Sequence, residues 1–424
     1  MKKFGLIGEK LGHSFSPMIH RMLDDYEYKL YEIPRNGLAG FMKSTELSGF
    51  NVTIPYKKEI IPYCSEISAS AGAIGSVNTV IRKNDGSFFG DNTDYFGFEY
   101  LLDKSNVDIS GKKVLVLGNG GASQTVQAVL KSAGAGSVTV ISRNGDNNYG
   151  NLEKHRDAFA VVNTTPVGMY PDTGVSPIDL CMFPDCSLVI DLIYNPHCTD
   201  LLLQAENRGI PGFNGLPMLV AQAKKASELF TGKSIDDSEI DRISEIIRIS
   251  TMNIALIGMP GSGKSTVARL LSGALNRPVV SIDKEIENFA NMSIPDIFAG
   301  RYIPDKGGDI PKGLSPEATF RAIETGILNR VSKESGIIID SGGGIVTVPG
   351  NRALLNRNSL IFCIHRPLKE LDSAGRPLSK EKGISLLYKE RKHLYEDWAD
   401  YFIENTSPEK AAEEIISHLS ALLF

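Results

Sequence analysis

Only five cysteines (Cys64, Cys181, Cys186, Cys198 and Cys363) occur in 424 residues. Their odd number and the absence of any C-x-x-C spacing argue against a disulfide framework and fit buried free thiols in a reducing compartment. The seven histidines form no H-x-x-x-H pair and no cluster with cysteine, so zinc has no visible ligand set. His13 and His393 read as surface or packing residues. Neither sign of charge dominates. Lys and Arg number 45 against 50 Asp and Glu, a net charge of −5, without the basic excess of a general nucleic-acid binder. Affinity for small anions must therefore be local. No apolar run reaches the roughly 18–20 residues that span a bilayer, and the opening MKKFGLIGEKLGHSFSP meets Gly8 and Glu9 before a signal-peptide core could form. The expectation is a cytoplasmic protein, monomer or homodimer, with small-molecule substrates and neither nucleic-acid nor membrane partners.

What is present is ordinary soluble composition, 42% hydrophobic and 22% charged, in a chain too long for one typical domain. Strand-like stretches (FGLIG, KLYEI, VLVLG, VTVIS, LVIDLIY, NIALIG, GIIIDSGG, LIFCI) alternate with helical sequence from end to end. The pattern predicts parallel α/β architecture throughout. A boundary is expected near residue 250, after a helix opened by a capping box (Ser234 with Asp237) and lined by Ile240, Ile243, Ile246 and Ile247. The join at Thr251-Met252-Asn253 is too short for a flexible tether. No repeat or low-complexity tract interrupts the chain.

Two strands run directly into glycine-rich loops followed by helices. In the first, Val114 to Leu117 leads into Gly118-Asn119-Gly120-Gly121-Ala122, where backbone can approach a pyrophosphate and a helix N-terminus offers free N–H groups. The next strand ends in Ser142-Arg143-Asn144, where an NAD site would carry an acid for the ribose. An arginine there suits a 2′-phosphate and favours NADP(H), against the alternative of a solvated loop arginine. Polar loops occur upstream: His13-Ser14-Phe15-Ser16-Pro17, Asn51-Val52-Thr53-Ile54-Pro55-Tyr56-Lys57, Val77-Asn78-Thr79 and Gly90 to Asp94. Lys57 and Asp94 among these amides and hydroxyls form a candidate proton-transfer pair.

These segments, with Asn163-Thr164-Thr165-Pro166-Val167-Gly168-Met169, Asp191 to Pro196 and Pro217 to Gln222, resemble shikimate dehydrogenase over residues 1–250. The resemblance implies a two-lobed dehydrogenase: a substrate lobe (1–102 and 215–250) and a Rossmann-like NADP lobe (103–214). Ser14 and Ser16 would hold the substrate carboxylate, or equally cap the helix at Pro17. Thr53, Asn78, Asp94 and Gln222 would bind ring hydroxyls. Lys57 would be the acid/base, oriented by Asp94, and Tyr194 and Met218 would line the cleft. Gly118, Asn119, Gly120, Gly121, Ala122, Arg143, Asn144 and Thr164 would hold the cofactor. The stretch from Asn144 to Ala160 is shorter than the helix-plus-strand unit usual there.

The second loop, Gly258-Met259-Pro260-Gly261-Ser262-Gly263-Lys264-Ser265 followed by Thr266, is a full G-x-x-x-x-G-K-S between a strand and a helix. Backbone N–H groups cradle phosphates, Lys264 neutralises the β/γ oxygens and Ser265 ligates Mg²⁺. With Ile282-Asp283 expected to end the second strand, Phe320-Arg321 to Glu324 on a helix, Gly342-Gly343-Gly344, Gly375-Arg376-Pro377-Leu378 and Glu390-Arg391 to Tyr395, the residues 253–424 resemble shikimate kinase, a P-loop kinase domain with a parallel sheet. Asp283 would contact and deprotonate the acceptor, Arg321 and Arg391 would clamp its carboxylate, and Gly342 to Gly344 would admit the ring. Arg376 would close over ATP from a lid.

Two departures matter. The family commonly places an acid two residues before the acceptor-binding aspartate, where this chain has Ser281, and a small residue two before the triple glycine, where it has Asp340. One consequence is a weakened kinase-like half that serves as a nucleotide scaffold or acts on another polyol acid. The other is an exchange in which Asp340 takes over the Mg²⁺ role. The Gly/Pro-rich loop from Gly300 to Pro316 is also longer than expected. The overall expectation is NADPH-dependent reduction of 3-dehydroshikimate followed by MgATP-dependent phosphorylation of shikimate. A dehydrogenase acting on quinate with NAD is the rival for the first half.

Overall fold

The computed structural model describes all residues except 1, 13, 304–309, 312, 372–382 and 423–424. The chain divides into two compact units. One holds Met1–Met169, Gly174–Tyr194 and Thr199–Glu245, the other Tyr170–Thr173, Asn195–Cys198 and Ile246–Phe424.

In the first unit six short strands, β1 (Lys3–Gly8), β2 (Glu27–Glu32), β3 (Gly49–Val52), β4 (Glu66–Ile67), β5 (Thr79–Arg82) and β6 (Phe88–Asp91), form a sheet of order β2-β1-β3-β5-β6-β4. The sheet is mixed. β3 pairs antiparallel with β5, and β5 with β6, which corrects the expectation of parallel strands throughout. Apolar runs locate strands, but the direction of a pairing depends on its connection, and the β5–β6 link is short enough for a hairpin. Phe50, Val52, Val80 and Tyr56 fill the core beneath it.

A second sheet of the same unit is wholly parallel: β7 (Lys113–Leu117), β8 (Ser137–Ile141), β9 (Ala160–Asn163), β10 (Leu188–Asp191) and β11 (Gly212–Asn214), in the order β11-β10-β9-β7-β8. Only a short 3₁₀ turn, Leu152–His155, lies between β8 and β9, as the short sequence there predicts. The helix Thr93–Lys104 packs on the helix Leu216–Thr231 with close backbone approach: a Cβ on Gly97 would fall 2.7 Å from the Met218 carbonyl oxygen. That contact seats two site-bearing helices together.

The second unit has one parallel sheet, β13-β14-β12-β15-β16, from β12 (Asn253–Ile257), β13 (Val279–Ser281), β14 (Ile338–Asp340), β15 (Ser359–His365) and β16 (Tyr401–Glu404). Alternate β12 side chains serve opposite cores, Ala255 and Ile257 on one face, Ile254 and Leu256 on the other. A strand covered on both faces reads as an unbroken apolar run for this reason.

Three local expectations need correction. The helix expected to open at Ser234 begins at Ser238. Asp237 instead accepts from Lys224 Nζ at 2.8 Å, so the capping box does not form. Strand β13 stops at Ser281, and Asp283 sits in the first turn of the helix Ile282–Ala290. All five cysteines are free as expected, but Cys181 is exposed and only Cys186 and Cys363 are buried.

Candidate active sites

In the first unit the turn after β3 is locked on both sides of Lys57. The Tyr56 hydroxyl donates to the Ile33 carbonyl at 2.6 Å, and Val77 N–H donates to the Lys57 carbonyl at 2.8 Å. Lys57 Nζ thereby meets Asp94 Oδ2 at 2.6 Å, the side chains 27% and 17% exposed. Asp94 occupies the first turn of its helix, whose N-terminus is held by Asn78: Oδ1 accepts from Thr93 N–H at 2.7 Å. None of the bonds around Asn78 uses its amide nitrogen, which is the part of that side chain left for a ligand.

The pair opens on a cavity of about 520 Å³ lined by Ser14, Ser16, Thr53, Lys57, Asn78, Asp94, Tyr194, Met218 and Gln222. All nine residues predicted to meet the substrate or line its cleft are thus brought together, although they come from positions 14 to 222. Ser16 begins the helix Ser16–Leu23, and its N–H donates to Ser14 Oγ at 3.2 Å; the N-cap position is Phe15, so neither serine caps by its side chain. His13 lies outside the described residues.

Sequence reasoning missed Lys10 and Asn51, which share the cavity. Asn51 is a hub: Oδ1 accepts from the Tyr28 hydroxyl at 2.8 Å and Nδ2 donates to Thr79 Oγ1 at 3.0 Å. Beside it His20 stacks on Tyr28 at 3.9 Å between centroids. Burial drops the His20 pKa to about 3, so the ring is neutral. The Asn51-to-Lys57 motif contained the signal for Asn51, but its bonds run to side chains that no local pattern reveals.

A second cavity of about 520 Å³ lies at the first glycine loop, lined by Gly118, Asn119, Gly120, Arg143 and Thr164. Gly118 has φ +99°, which L side chains rarely adopt, and a Cβ on Gly120 or Gly121 would enter open space at the N-terminus of the helix Gly121–Ser132. A glycine cradle at a helix N-terminus fits a dinucleotide pyrophosphate. Ala122 lines the substrate cavity instead, while Gly121 and Asn144 line neither.

In the second unit Gly258, Gly261 and Gly263 have φ of +140°, +85° and +94°, so the loop requires glycine at each. Lys264 Nζ donates to the carbonyls of Gly258 and Met259, each at 3.0 Å, and Ser265 and Thr266 follow in the helix Lys264–Leu275. Asn405, which sequence reasoning missed, ties the loop down by donating to the Ser262 carbonyl at 2.6 Å. The Ser262 hydroxyl is buried with no hydrogen-bond partner among the described residues.

The triple glycine is where the residues predicted to meet the acceptor converge. A Cβ on Gly342 would fall 2.8 Å from Asp283 Oδ1 and 3.1 Å from Glu324 Oε1, one on Gly343 2.6 Å from the Pro260 ring, and one on Gly344 against the Arg321 guanidinium. The Gly343 carbonyl accepts from Arg391 NH1 at 2.9 Å and from the Tyr395 hydroxyl at 2.5 Å. Arg321 pairs with buried Glu324 at 2.5 Å. Burial raises the Glu324 pKa, opposed by Arg321. Arg321 Nε, Arg391 Nε and Glu324 Oε1 are buried with no hydrogen-bond partner among the described residues. Unused donors and acceptors around a glycine floor make a site for a polar anion. Glu324 and Tyr395 stood inside recognised motifs, but without an assigned role. Arg376 lies outside the described residues, as does much of the loop from Gly300 to Pro316.

Asp340 closes β14, in register with Ser281 of β13 and with Leu256 of β12, the strand that enters the glycine loop. It is 7% exposed, and among the described residues no hydrogen bond or ion pair engages its carboxylate. A buried, unpaired acid beside a phosphate loop needs a cation. With the Ser265 hydroxyl it fits Mg²⁺, which takes few protein ligands and otherwise keeps phosphates and water.

Known proteins resemble both halves. Residues 6–80 match the family model "Shikimate dehydrogenase substrate binding domain" and residues 260–420 match "Shikimate kinase". A shikimate dehydrogenase (NADP(+)) of Clostridium perfringens (strain SM101 / Type A) is 38% identical over 269 residues, covering 58% of this chain and 99% of that protein. Among solved structures, a chorismate mutase/shikimate 5-dehydrogenase fusion protein from Clostridium acetobutylicum is 38% identical at TM-score 0.55, covering 58% of this chain and 97% of that one. Shikimate 5-dehydrogenase from Thermus thermophilus, in complex with NADP(H) and shikimate, is 32% identical at TM-score 0.53, covering 58% and 99%. The fold, the two glycine loops and these relatives agree: the chain belongs to the shikimate dehydrogenase family and carries a shikimate kinase domain over residues 260–420.

Proposed function

We propose that the chain is a bifunctional shikimate-pathway enzyme, which reduces 3-dehydroshikimate to shikimate with NADPH and phosphorylates shikimate to shikimate 3-phosphate with MgATP. The observation that carries the first reaction is the 2.6 Å Lys57–Asp94 pair opening on a cavity that also holds Ser14, Ser16, Thr53, Asn78 and Gln222. Two serine hydroxyls suit a carboxylate, and the amides and Thr53 suit ring hydroxyls. Bound NADPH would supply the hydride. Lys57 Nζ donates a proton to the ketone oxygen as negative charge develops there, and Asp94 keeps the ammonium aimed.

The second reaction is supported by the convergence on Gly342 to Gly344. Arg321 and Arg391 clamp the acceptor carboxylate, and Asp283 takes the proton of the attacking hydroxyl, which needs only reach across Gly342. Ser265 and Asp340 would hold Mg²⁺, which neutralises phosphate charge. The lid role of Arg376 rests on the resemblance alone. Free thiols support a reducing, cytoplasmic setting, and among the described residues no helix is long and apolar enough to cross a membrane.

The test supplies the full chain with 3-dehydroshikimate, NADPH and MgATP. Shikimate 3-phosphate should form. Lys57→Ala should stop NADPH oxidation, and Lys264→Ala should let shikimate accumulate. Accumulation in the unmutated protein would remove the kinase from the reading, and unoxidised NADPH would remove the reductase.

A further inference from the structure

Residues 142–151 follow β8 without forming a helix, yet their path is tightly specified by their own polar groups. Ser142 N–H donates to the Asn147 carbonyl at 3.1 Å, Asn148 Nδ2 to Gly145 O at 3.0 Å and Asn151 Nδ2 to Asp146 O at 2.8 Å. Asn151 Oδ1 accepts from Asn148 N–H at 2.9 Å, and Asn147 Oδ1 meets His155 Nε2 at 3.0 Å. Three asparagines thus do by side chain what a helix does by backbone. The product is a fixed seat for Tyr149.

Tyr149 is half-buried and lines the glycine-loop cavity with Arg143. Burial raises its pKa while the Arg143 charge lowers it, which places the two groups within electrostatic reach. The remaining wall is Thr164, Thr165, Pro166, Val167, Ser176 and Pro177. An aromatic ring and a guanidinium on one rim, beyond a phosphate cradle, match a purine carrying an extra phosphate.

We propose that Tyr149 is a cofactor-binding residue whose ring packs on the adenine, beside the Arg143 already assigned to the 2′-phosphate, with the asparagine-tied loop holding the ring in place. This rests on the dinucleotide reading of the cavity. Stacking on a base is sequence-tolerant and depends on a π face, so phenylalanine should replace tyrosine but leucine should not.

The experiment measures binding of NADPH and of 2′,5′-ADP, which has the adenine and 2′-phosphate but no nicotinamide, to the full chain without other substrates. Tyr149→Leu should weaken both about tenfold, and Tyr149→Phe by about twofold or less. Nicotinamide mononucleotide should bind both variants as it binds the parent. Parental far-UV circular dichroism and a parental urea transition of each variant report that the first unit, which carries Tyr149, has folded. Parental affinity of Tyr149→Leu for 2′,5′-ADP would overturn the assignment, and so would equal losses for leucine and phenylalanine. Failure of the unmutated chain to bind either adenine ligand would overturn the dinucleotide reading itself, and the assignment with it.

Discussion

At the scale of single residues the sharpest question is how a kinase half manages with Ser281 where an acid is expected. Ser281 and Asp340 are register partners on neighbouring strands, which stand about 4.8 Å apart. A carboxylate moved from one to the other still faces the glycine loop. Asp340→Ala should therefore raise the Mg²⁺ concentration needed for phosphoryl transfer by about 10–100-fold and weaken binding of Mn²⁺ to the nucleotide complex, read by the Mn²⁺ spin signal. Adding Ser281→Asp to that variant should restore part of both. Unchanged metal dependence in Asp340→Ala would end the exchange idea. Residues proposed to meet the ligand, such as Ser14, Lys57, Asp283 and Arg391, were legible because each stands in a short motif that carries the family resemblance. Asn51, Glu324 and Asn405 were not assigned, because they act by satisfying groups that become neighbours only on folding.

At the scale of elements, strands and glycine loops could be read from apolar runs and φ-demanding glycines, whereas pairing direction in the first sheet and the start of the helix at Ser238 could not. Both depend on competing partners: Asp237 bonds Lys224 in place of a cap. The triple-glycine turn gives an element-level prediction. A Cβ on Gly343 would lie 2.6 Å from Pro260 Cδ and 2.8 Å from its backbone nitrogen, atoms that cannot swing aside. Gly343→Ala must displace either the glycine loop or the carbonyl that holds Arg391 and Tyr395. An ångström of misplacement costs about a hundredfold in rate. Parallel assays should show kinase kcat/KM reduced by at least about that factor, with reduction of 3-dehydroshikimate at its parental rate. Parental kinase kcat/KM would mean that the turn is not a rigid floor.

At the scale of the whole molecule, two buried ionisable groups in the first unit oppose each other across acid pH. The folded chain refuses a proton at His20, whose pKa falls from 6.5 to about 3, so its stabilising effect, present above pH 6.5, is lost as pH falls through that range. The folded chain retains a proton at Asp191, whose pKa burial raises from 3.8 to about 6. That contribution is present below about pH 4 and lost as pH rises through about 6. Between pH 4 and 6 the unfolded chain carries one extra proton at His20 and the folded chain one at Asp191, so the two slopes cancel. Asp191→Asn keeps an oxygen for Asn163 Nδ2 and Ile193 N–H and an amide for the Thr199 hydroxyl, while removing the titration. The variant should then lose stability from pH 6 to pH 4 by about 1.4 kcal/mol per pH unit relative to the parent. Urea unfolding followed by far-UV circular dichroism measures this difference. The single tryptophan, Trp398, belongs to the other unit, so its fluorescence reports the unfolding of that unit separately. Equal pH slopes for the two proteins would show that Asp191 does not hold its proton in the folded chain.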